Sequence, residues 1–365
     1  MPAVAALKQE KQAMVARYAR SCNWAGLGQC MTTLIPLAGL WVAAAMVVPT
    51  MPLMSVPILG LMTLFLVRSF VLMHECGHGS LFHTPALNQG FGFLFGVLSG
   101  MPQYVWSRHH NVHHATNGNW ERYRGPLAIL SVAEFDALSP SQQRDYVRAR
   151  SIFLAPVAGL VYVLINPRLT WIKGTLQWLT HWARYTRRGG RTLRTHAAAF
   201  NSSYWDTPAE GRHMLLNNLV LLGAWVAMAW WLGPVLFGVL YVLSVSLAGA
   251  VGIVLFTVQH NFEHAYATGD EGWCYNRAAI HGTSFLVLPR VLRWFTANIG
   301  YHHVHHLSAR IPNYQIADCH RSYSRLFKDV RRIGLADVRA SLRYVLWDTE
   351  RERLVSVAEA RATRA

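Results

Sequence analysis

Long apolar runs alternate with polar segments along this chain, and the pattern predicts helices that cross a membrane. Four runs are long enough to span a bilayer: 31–48, 53–73, 215–232 and 235–258. Residues 49–52 separate the first two runs, and Gly233-Pro234 separates the last two. Because these turns are so short, the four spans are expected to form two hairpins. Both ends of each hairpin then lie on one side of the membrane.

Three further segments are apolar or aromatic without resembling spans. Residues 91–106 contain several glycines and prolines, and we predict a re-entrant or interfacial segment. Residues 152–165 are short for a span and are predicted to be buried or interfacial. Residues 167–213 are basic and aromatic, which favours a helix on anionic headgroups; the alternative is the solvated basic face of a cap. Arg68 interrupts the second run and is expected to reach the interface with its long side chain.

Composition supports the membrane class and orients the chain. Hydrophobic residues make up 52% and charged residues 14% of the chain, and the formal net charge is +16. In a membrane protein this excess of Lys and Arg belongs in cytoplasmic segments, so no nucleic-acid partner is predicted. The hairpin turns carry no charge, whereas the segments at the opposite ends are rich in Arg. Both termini are therefore expected in the cytoplasm, and the five Cys are expected to be reduced.

The predicted fold class is an all-α integral membrane protein with four transmembrane helices and a cytoplasmic helical cap. We expect a cytoplasmic N-terminal lead-in at 1–30, a membrane domain at 31–350 and a C-terminal tail at 351–365.

Histidines cluster in three places that this topology puts on the cytoplasmic side. They are His74 and His78 after the second span, then His110, His113 and His114, and finally His302, His305 and His306. Spacings of three and four residues place side chains on one helical face, so each cluster is expected to point one way. Neutral imidazole binds iron, copper, zinc and nickel. Eight histidines exceed the needs of one tetrahedral zinc, so we predict two metal ions.

Two metals at a membrane surface suit oxygen activation on a lipid chain. Cleavage of an unactivated C–H bond needs redox chemistry that zinc lacks, which favours iron.

The sequences around the three clusters resemble the integral-membrane fatty acid desaturases. The resemblance rests on His74-Glu75-Cys76-Gly77-His78, on 108–116 with its H-x-x-H-H, and on 298–314, which ends in Ile311-Pro312-Asn313-Tyr314. It covers roughly 30–350 and is closest to bacterial acyl-lipid omega-6 (delta-12) desaturases. It implies a cytoplasmic di-iron centre, O2 as oxidant, a membrane lipid acyl chain as substrate, and residence in a bacterial inner membrane. It also implies electrons from ferredoxin or cytochrome b5, in a separate protein because no flavin or nicotinamide motif is present.

The resemblance also implies a ligand set. The eight box histidines would bind iron, and the family uses one further ligand near the end of the fourth span. His260 and His264 are the candidates, predicted to share a helical face; we favour His264, with His260 as a direct or water-mediated partner. Glu75 and Glu263 are candidates to accept hydrogen bonds from ligand N–H groups. The remaining histidines are expected to support the site or to lie outside it: His109 and His303, His83, and His181, His196, His213, His281 and His320.

Three other functions remain open. The sequence His74-Glu75-Cys76-Gly77-His78 also matches the zinc protease signature H-E-x-x-H, although an intramembrane metalloprotease leaves the other two boxes unexplained. A metal or haem carrier would place histidines inside its spans. A di-iron lipid hydroxylase or ketolase on the same scaffold is the nearest alternative.

Overall fold

The computed structural model describes residues 2–124, 128–189, 192–193, 195 and 200–362, and most of these are helical. The long helices are α2 (Asn23–Val47), α3 (Ser55–Gly77), α9 (Asn166–Arg187), α10 (Pro208–Leu232) and α11 (Pro234–His260). The shorter ones are α1 (Pro2–Tyr18), α4 (Pro85–Ser99), α5 (Gln103–Thr116), α6 (Val132–Asp136), α7 (Pro140–Ala149), α8 (Ala155–Leu160), α12 (Tyr275–His281), α13 (Arg290–Phe295), α14 (His302–Leu307), α15 (Asn313–Ser322), α16 (Val338–Ser341) and α17 (Val357–Ala362). The strands are β1 (Leu130–Ser131), β2 (Ser284–Leu286), β3 (Arg331–Ile333), β4 (Leu346–Asp348) and β5 (Arg353–Val355).

Five helical segments of the described chain are long and apolar enough to cross a membrane, which indicates a membrane protein. They are Asn23–Val47, Pro52–Gly77, Ile152–Arg187, Pro208–Leu232 and Pro234–His260. Four of them contain the four predicted runs. The helices α2 and α10 begin about two turns before the apolar runs, because the helical conformation extends into the less apolar residues that precede them.

The fifth segment differs from the prediction, which divided it near residue 166. In the structure, a 3-10 turn, α8, a π-helical stretch at Val161–Ile165 and α9 are continuous. Pro167 lies in the first turn of α9, and the π-helical stretch just before it accommodates the missing N–H. The apolar stripe of α9 is largely exposed, as expected of a lipid-facing surface. With five candidates, the count of four membrane helices stays a prediction.

Residues 91–106 form a helical reversal. Helix α4 ends at Ser99, Gly100 adopts φ 76°, and α5 begins at Gln103. Glycine suits this position because it tolerates the left-handed region. At 15 residues, α4 is shorter than a membrane span. The reversal carries the second histidine box on α5 back towards the end of α3.

Small residues bring α8 and α11 into close contact. A Cβ atom on Gly249 would lie 2.7 Å from the Cα of Gly159, so the two backbones touch at this point. The hydroxyl of Ser246 donates to the carbonyl of Pro156 nearby, at 2.7 Å. Close approach at small residues is a common way for membrane helices to associate.

Replacing Gly249 by valine is expected to lower the melting temperature by several degrees, because the added side chain must push α8 away. Overpacking of this kind costs about 1–3 kcal/mol. Gly252→Val is the matched control: it lies on the same helix, where a Cβ would meet nothing within 4 Å. Thermal unfolding of both variants in detergent checks the prediction. An equal loss in Gly252→Val would attribute the effect to the valine itself.

The rest of the described chain forms a cap over the ends of α3 and α11. The all-α prediction is wrong in detail here, because two small sheets join distant segments: β1 pairs parallel with β4 and β4 antiparallel with β5, while β2 pairs parallel with β3. The expected C-terminal tail contains β5, whose Val355 is fully buried, and α17. The expected N-terminal lead-in includes α1, which docks on α15 through a 2.7 Å contact between the hydroxyls of Tyr18 and Ser322.

Candidate metal centre

Four helices bring nine histidines together at the end of the helical bundle opposite the two hairpin turns. His74 lies in the last turn of α3, and His78 caps that helix. The second box lies on α5, and the third forms most of the short helix α14. His260 is the last residue of α11. Just before α14, Ala297 and Asn298 have positive φ angles of 44° and 62°, a conformation that Asn tolerates and that turns the third box into the cap.

The ring nitrogens form two adjacent sets. Each histidine contributes one nitrogen to its set, and all the nitrogens of a set lie within 4.8 Å of one another. The first histidine group consists of His74, His78, His110, His114 and His305. The second histidine group consists of His113, His260, His302 and His306. The sets touch each other where the rings of His114 and His306 stack with centroids 4.2 Å apart.

Within the first histidine group, Nε2 atoms face one another. The Nε2 atoms of His74 and His78 are 3.3 Å apart, and that of His114 lies 3.0 Å from His110 and 3.1 Å from His305. In the second histidine group the separations are 3.2 Å between His113 and His306, and 2.9 Å between His302 and His260.

The expectation that each H-x-x-H-H box points one way is wrong. Positions i and i+4 of the second box, His110 and His114, belong to the first group, whereas His113 belongs to the second. The third box does the reverse: His302 and His306 join the second group, and His305 joins the first. The i+3 side chain diverges from the i and i+4 pair by enough to reach the neighbouring set. Each H-x-x-H-H box therefore contributes to both sets, whereas His74 and His78 both belong to the first.

His264 lies outside both sets, so our preference for it over His260 is corrected. Helix α11 ends at His260, and the chain then turns, so the two residues do not share a helical face. The His264 side chain is 79% exposed and lies 4.0 Å from Glu263. His260, by contrast, is placed by a contact of 3.2 Å between its Nδ1 and the carbonyl of Gly282.

The other histidines of the described chain also lie outside the two sets. His303 is fully buried, and its Nε2 lies 2.8 Å from Nδ1 of His320. His109 and His83 are exposed, and His213 stacks on Tyr104. His181 and His281 also join neither set, and His196 lies outside the described residues.

The nitrogen positions fit metal ions. Imidazole nitrogens bound at about 2.0–2.1 Å and at right angles around one ion lie about 3 Å apart. The observed separations of 2.9–3.3 Å match this value. No carboxylate or thiol of the described chain joins either set. Two all-imidazole sets, with five and four nitrogens, fit two transition-metal ions better than one tetrahedral zinc.

The protonation state also suits metal binding. Burial holds the pKa of the His302, His305 and His306 imidazoles well below the usual value. The same cause lowers the pKa of His78 to about 3. These rings are therefore neutral near pH 7, and neutral imidazole is the form that binds metals.

Oxygen atoms lie at Nδ1 of two of the rings, on the side away from the centre. Gly282 offers its carbonyl to Nδ1 of His260, which leaves the Nε2 lone pair free. An oxygen of Glu75 lies 3.3 Å from Nδ1 of His74. Glu263, the other predicted acceptor, instead forms an ion pair with Arg353 and joins neither set.

Sequence reasoning missed several residues around the rings. Trp106 stacks on His110, and the Tyr275 hydroxyl donates to the carbonyl of His306 at 2.6 Å.

Arg68 does not reach the interface as predicted: it is 3% exposed. A charge within an apolar run was the available signal, because such residues are usually functional. A cavity of about 60 Å³ has His113 and His260 in its wall.

Comparison with known proteins identifies the family of this chain. The family model described as fatty acid desaturase matches residues 48–333. A fatty acid desaturase of Bacillus subtilis is 33% identical over 94% of this chain and 88% of its own length. An endoplasmic reticulum omega-3 fatty acid desaturase of Vigna radiata is 23% identical, covering 79% and 70%. The Arabidopsis thaliana acyl-lipid omega-3 desaturase (cytochrome b5) is 23% identical, covering 68% and 58%. The chain belongs to the fatty acid desaturase family of enzymes.

Proposed function

We propose that this protein uses O2 to introduce a cis double bond into an acyl chain of a membrane lipid, with delta-12 (omega-6) selectivity. The observation that carries the proposal is the convergence of nine histidine Nε2 atoms in two adjacent sets at the ends of apolar helices. Membership of the family adds the reaction type, and the resemblance of the boxes to omega-6 enzymes adds the position. The plant relatives are named omega-3 enzymes and are more distant than the bacterial one.

The two histidine groups would each hold one iron ion. Bound there, the pair of ions would supply the redox chemistry that breaks unactivated C–H bonds with O2. Overall, two C–H bonds break and one C=C bond forms, and O2 is reduced to two water molecules. The acyl chain gives two electrons and two protons, and an external donor gives two electrons while two more protons enter from solvent.

The chain's own residues hold this centre in place. The carbonyl of Gly282 orients His260, a carboxylate oxygen of Glu75 lies 3.3 Å from Nδ1 of His74, and the packing of Trp106 fixes the ring of His110. His302, His305 and His306 are almost fully buried, so bulk water is kept from the centre. Acyl chains would arrive from the bilayer that surrounds the apolar helices.

The electron donor is proposed to be a separate ferredoxin or a cytochrome b5-type protein. The Arabidopsis relative carries cytochrome b5 in its name. Arg184, Arg187 and Arg188 are exposed at the end of α9 and offer a basic surface to an acidic donor or to anionic headgroups. Arg191 and Arg194 of the same basic segment lie outside the described residues.

A bacterial inner membrane is the proposed location, with the metal centre and both termini in the cytoplasm. The hairpin turns at 48–54 and 233–234 carry no charge, while the Arg-rich segments lie at the opposite end of the helices. Positive charge of this kind favours the cytoplasmic side.

Expression in a bacterial host with known monounsaturated acyl chains, together with a donor system, is expected to yield a new diene with its second bond at the delta-12 position. Gas chromatography–mass spectrometry of the fatty acids measures both product and position. His302→Ala should abolish the diene, because the second group loses a nitrogen. His83→Ala, which changes an exposed histidine outside both sets, should leave it unchanged.

Different products would select an alternative. Hydroxy or keto acids would indicate the oxygen-inserting hydroxylase or ketolase, which uses the same centre. The zinc protease fits this geometry poorly, because Glu75 lies at Nδ1 of His74, on the far side of the ring from the converging Nε2 atoms. A protease would also leave the second histidine group without a role.

A further inference from the structure

Arg68 is a buried cation without an acidic partner in the described part of the chain. Its Nε donates to the hydroxyl of Thr33 at 3.0 Å, and one terminal nitrogen donates to the side-chain carbonyl of Gln29 at 3.2 Å. The other terminal nitrogen donates to the backbone carbonyl of Trp294, whose ring lies 3.8 Å below the guanidinium. An arginine buried within an apolar helix is costly and therefore suggests a specific role.

A chain of hydrogen bonds leads from Arg68 to the first histidine group. Gln29 and Asn313 exchange two amide hydrogen bonds, of 2.8 and 2.9 Å. The backbone N–H of Asn313 then donates to a carboxylate oxygen of Glu75 at 3.1 Å. Each step from Arg68 to Glu75 includes a donor that points towards the carboxylate, while the side-chain amide of Asn313 also donates back to Gln29.

Glu75 is surrounded by donors. It is 1% exposed, and it accepts from the hydroxyl of Ser80 at 3.0 Å as well as from Asn313. Its other oxygen lies 3.3 Å from Nδ1 of His74 and 3.9 Å from Nδ1 of His305. Two rings of the first histidine group therefore have a carboxylate behind them.

The second histidine group has no equivalent among the described residues. Nδ1 of His260 faces a neutral backbone carbonyl. Among the described residues, a carboxylate oxygen lies within 4.0 Å of His74 and His305 but of no ring in the second histidine group. A carboxylate behind a ligating histidine makes the ring more basic and its metal bond stronger, whereas a neutral acceptor does less.

We infer that Glu75, oriented by Asn313 and charge-balanced by Arg68 through Gln29, makes the first histidine group the tighter metal site of the two. The inference rests on the proposed function, because it requires two metal ions. Glu75 acts as a positioning residue: it acts through His74 and His305. Metal is then expected to enter the first histidine group before the second.

Cobalt titration of metal-free protein in detergent tests the inference without any turnover. The unaltered protein should bind two Co²⁺ ions in two resolved steps, with the first step in the first histidine group. In a His260→Ala/His302→Ala background only the first group remains, so a single ion binds. Adding Glu75→Gln to that background should weaken its binding 10–100-fold, the range found for lost carboxylate partners. In otherwise unaltered protein, Glu75→Gln should weaken the tighter step and leave the weaker one as it was.

Variants along the chain of hydrogen bonds separate this role from simple packing. Asn313→Ala keeps the backbone donor to Glu75 but removes the link to Gln29. Asn313→Ala and Arg68→Met are each expected to weaken the same step by less than Glu75→Gln does. If Glu75→Gln does not fold, these two variants still test whether the hydrogen bonds to Glu75 strengthen metal binding in the first histidine group.

A matched control uses the same chemistry elsewhere in the bundle. Arg168 is likewise held by neutral acceptors, including Asn218 at 2.7 Å. Arg168→Met should lower thermal stability without altering either cobalt step.

Two results would overturn separate claims. Fewer than two Co²⁺ ions bound to the unaltered protein would refute the proposed two-metal site. If two ions bind but Glu75→Gln does not weaken the tighter step, the two-metal site is supported and the role of Glu75 is refuted. The same conclusion follows if Arg168→Met weakens the tighter step as much as Glu75→Gln does.

Discussion

Replacing His260 by alanine is expected to cost the protein one of its two bound metal ions and to abolish the diene. The ring belongs to the second histidine group, with its Nε2 2.9 Å from that of His302 and its Nδ1 held by Gly282. Only four nitrogens form this set, so the loss of one leaves three. Activity should fall by more than about 100-fold, the upper end of what the loss of an outer hydrogen-bond partner causes. Elemental analysis of purified protein and fatty-acid profiles measure the two effects.

His264→Ala is the control for this experiment. The residue is four positions further along the chain, but its side chain is 79% exposed and lies outside both sets. We expect two metal ions and an unchanged diene. Full metal in His260→Ala together with loss in His264→Ala would reverse the assignment made from the geometry.

The two hairpins could be predicted because hydropathy and helix length impose them. A span needs about 20 apolar residues, and the helices α2, α3, α10 and α11 contain such runs between short turns. At 152–187, local hydropathy did not predict the continuous helical segment. A proline and several basic residues suggested two separate elements. In the structure, the segment is continuous and packs against α11. The pairing of β5 with β4 also escaped prediction, since three-residue strands carry little periodicity.

The box histidines could be identified because H-x-x-H-H is rare and chemically specific. Their distribution between two sets could not, because it depends on how α5 and α14 meet. Those helices lie almost two hundred residues apart in sequence, and their relative orientation decides that His113 pairs with His306 while His114 pairs with His305. The choice between His260 and His264 depended on where α11 ends, and helix boundaries are poorly encoded locally.

Arg68 illustrates the same limit. Near the end of an apolar run, a long basic side chain suggests a reach to the interface. Its actual partners, Gln29 and Thr33 on α2 and Trp294 on α13, are visible only in the folded chain.

Gly77→Val is expected to lower activity about 100-fold, because a misplacement of about 1 Å at a reacting centre has that effect. Gly77 lies where α3 meets α5: an added Cβ would overlap the hydroxyl of Ser107 and lie 3.0 Å from its Cβ. The branched side chain must therefore push the two helices apart. His78 follows Gly77 directly, and His110 lies one turn beyond Ser107, so the first histidine group would open. Metal content and diene yield should fall together.

Gly60→Val is the matched control, since it lies on the same helix at a point where a Cβ would meet nothing within 4 Å. It changes the helix propensity as Gly77→Val does but adds no contact with α5. A second test compares Gly77→Ala with the double variant Gly77→Ala/Ser107→Gly. The double variant adds a methyl group on α3 and removes the facing side chain on α5. It should recover most of the metal content and diene yield that Gly77→Ala alone loses. Equal losses in both valine variants would mean that the valine itself harms α3. Recovery in the exchanged pair would instead attribute the geometry of the first histidine group to the close contact between α3 and α5.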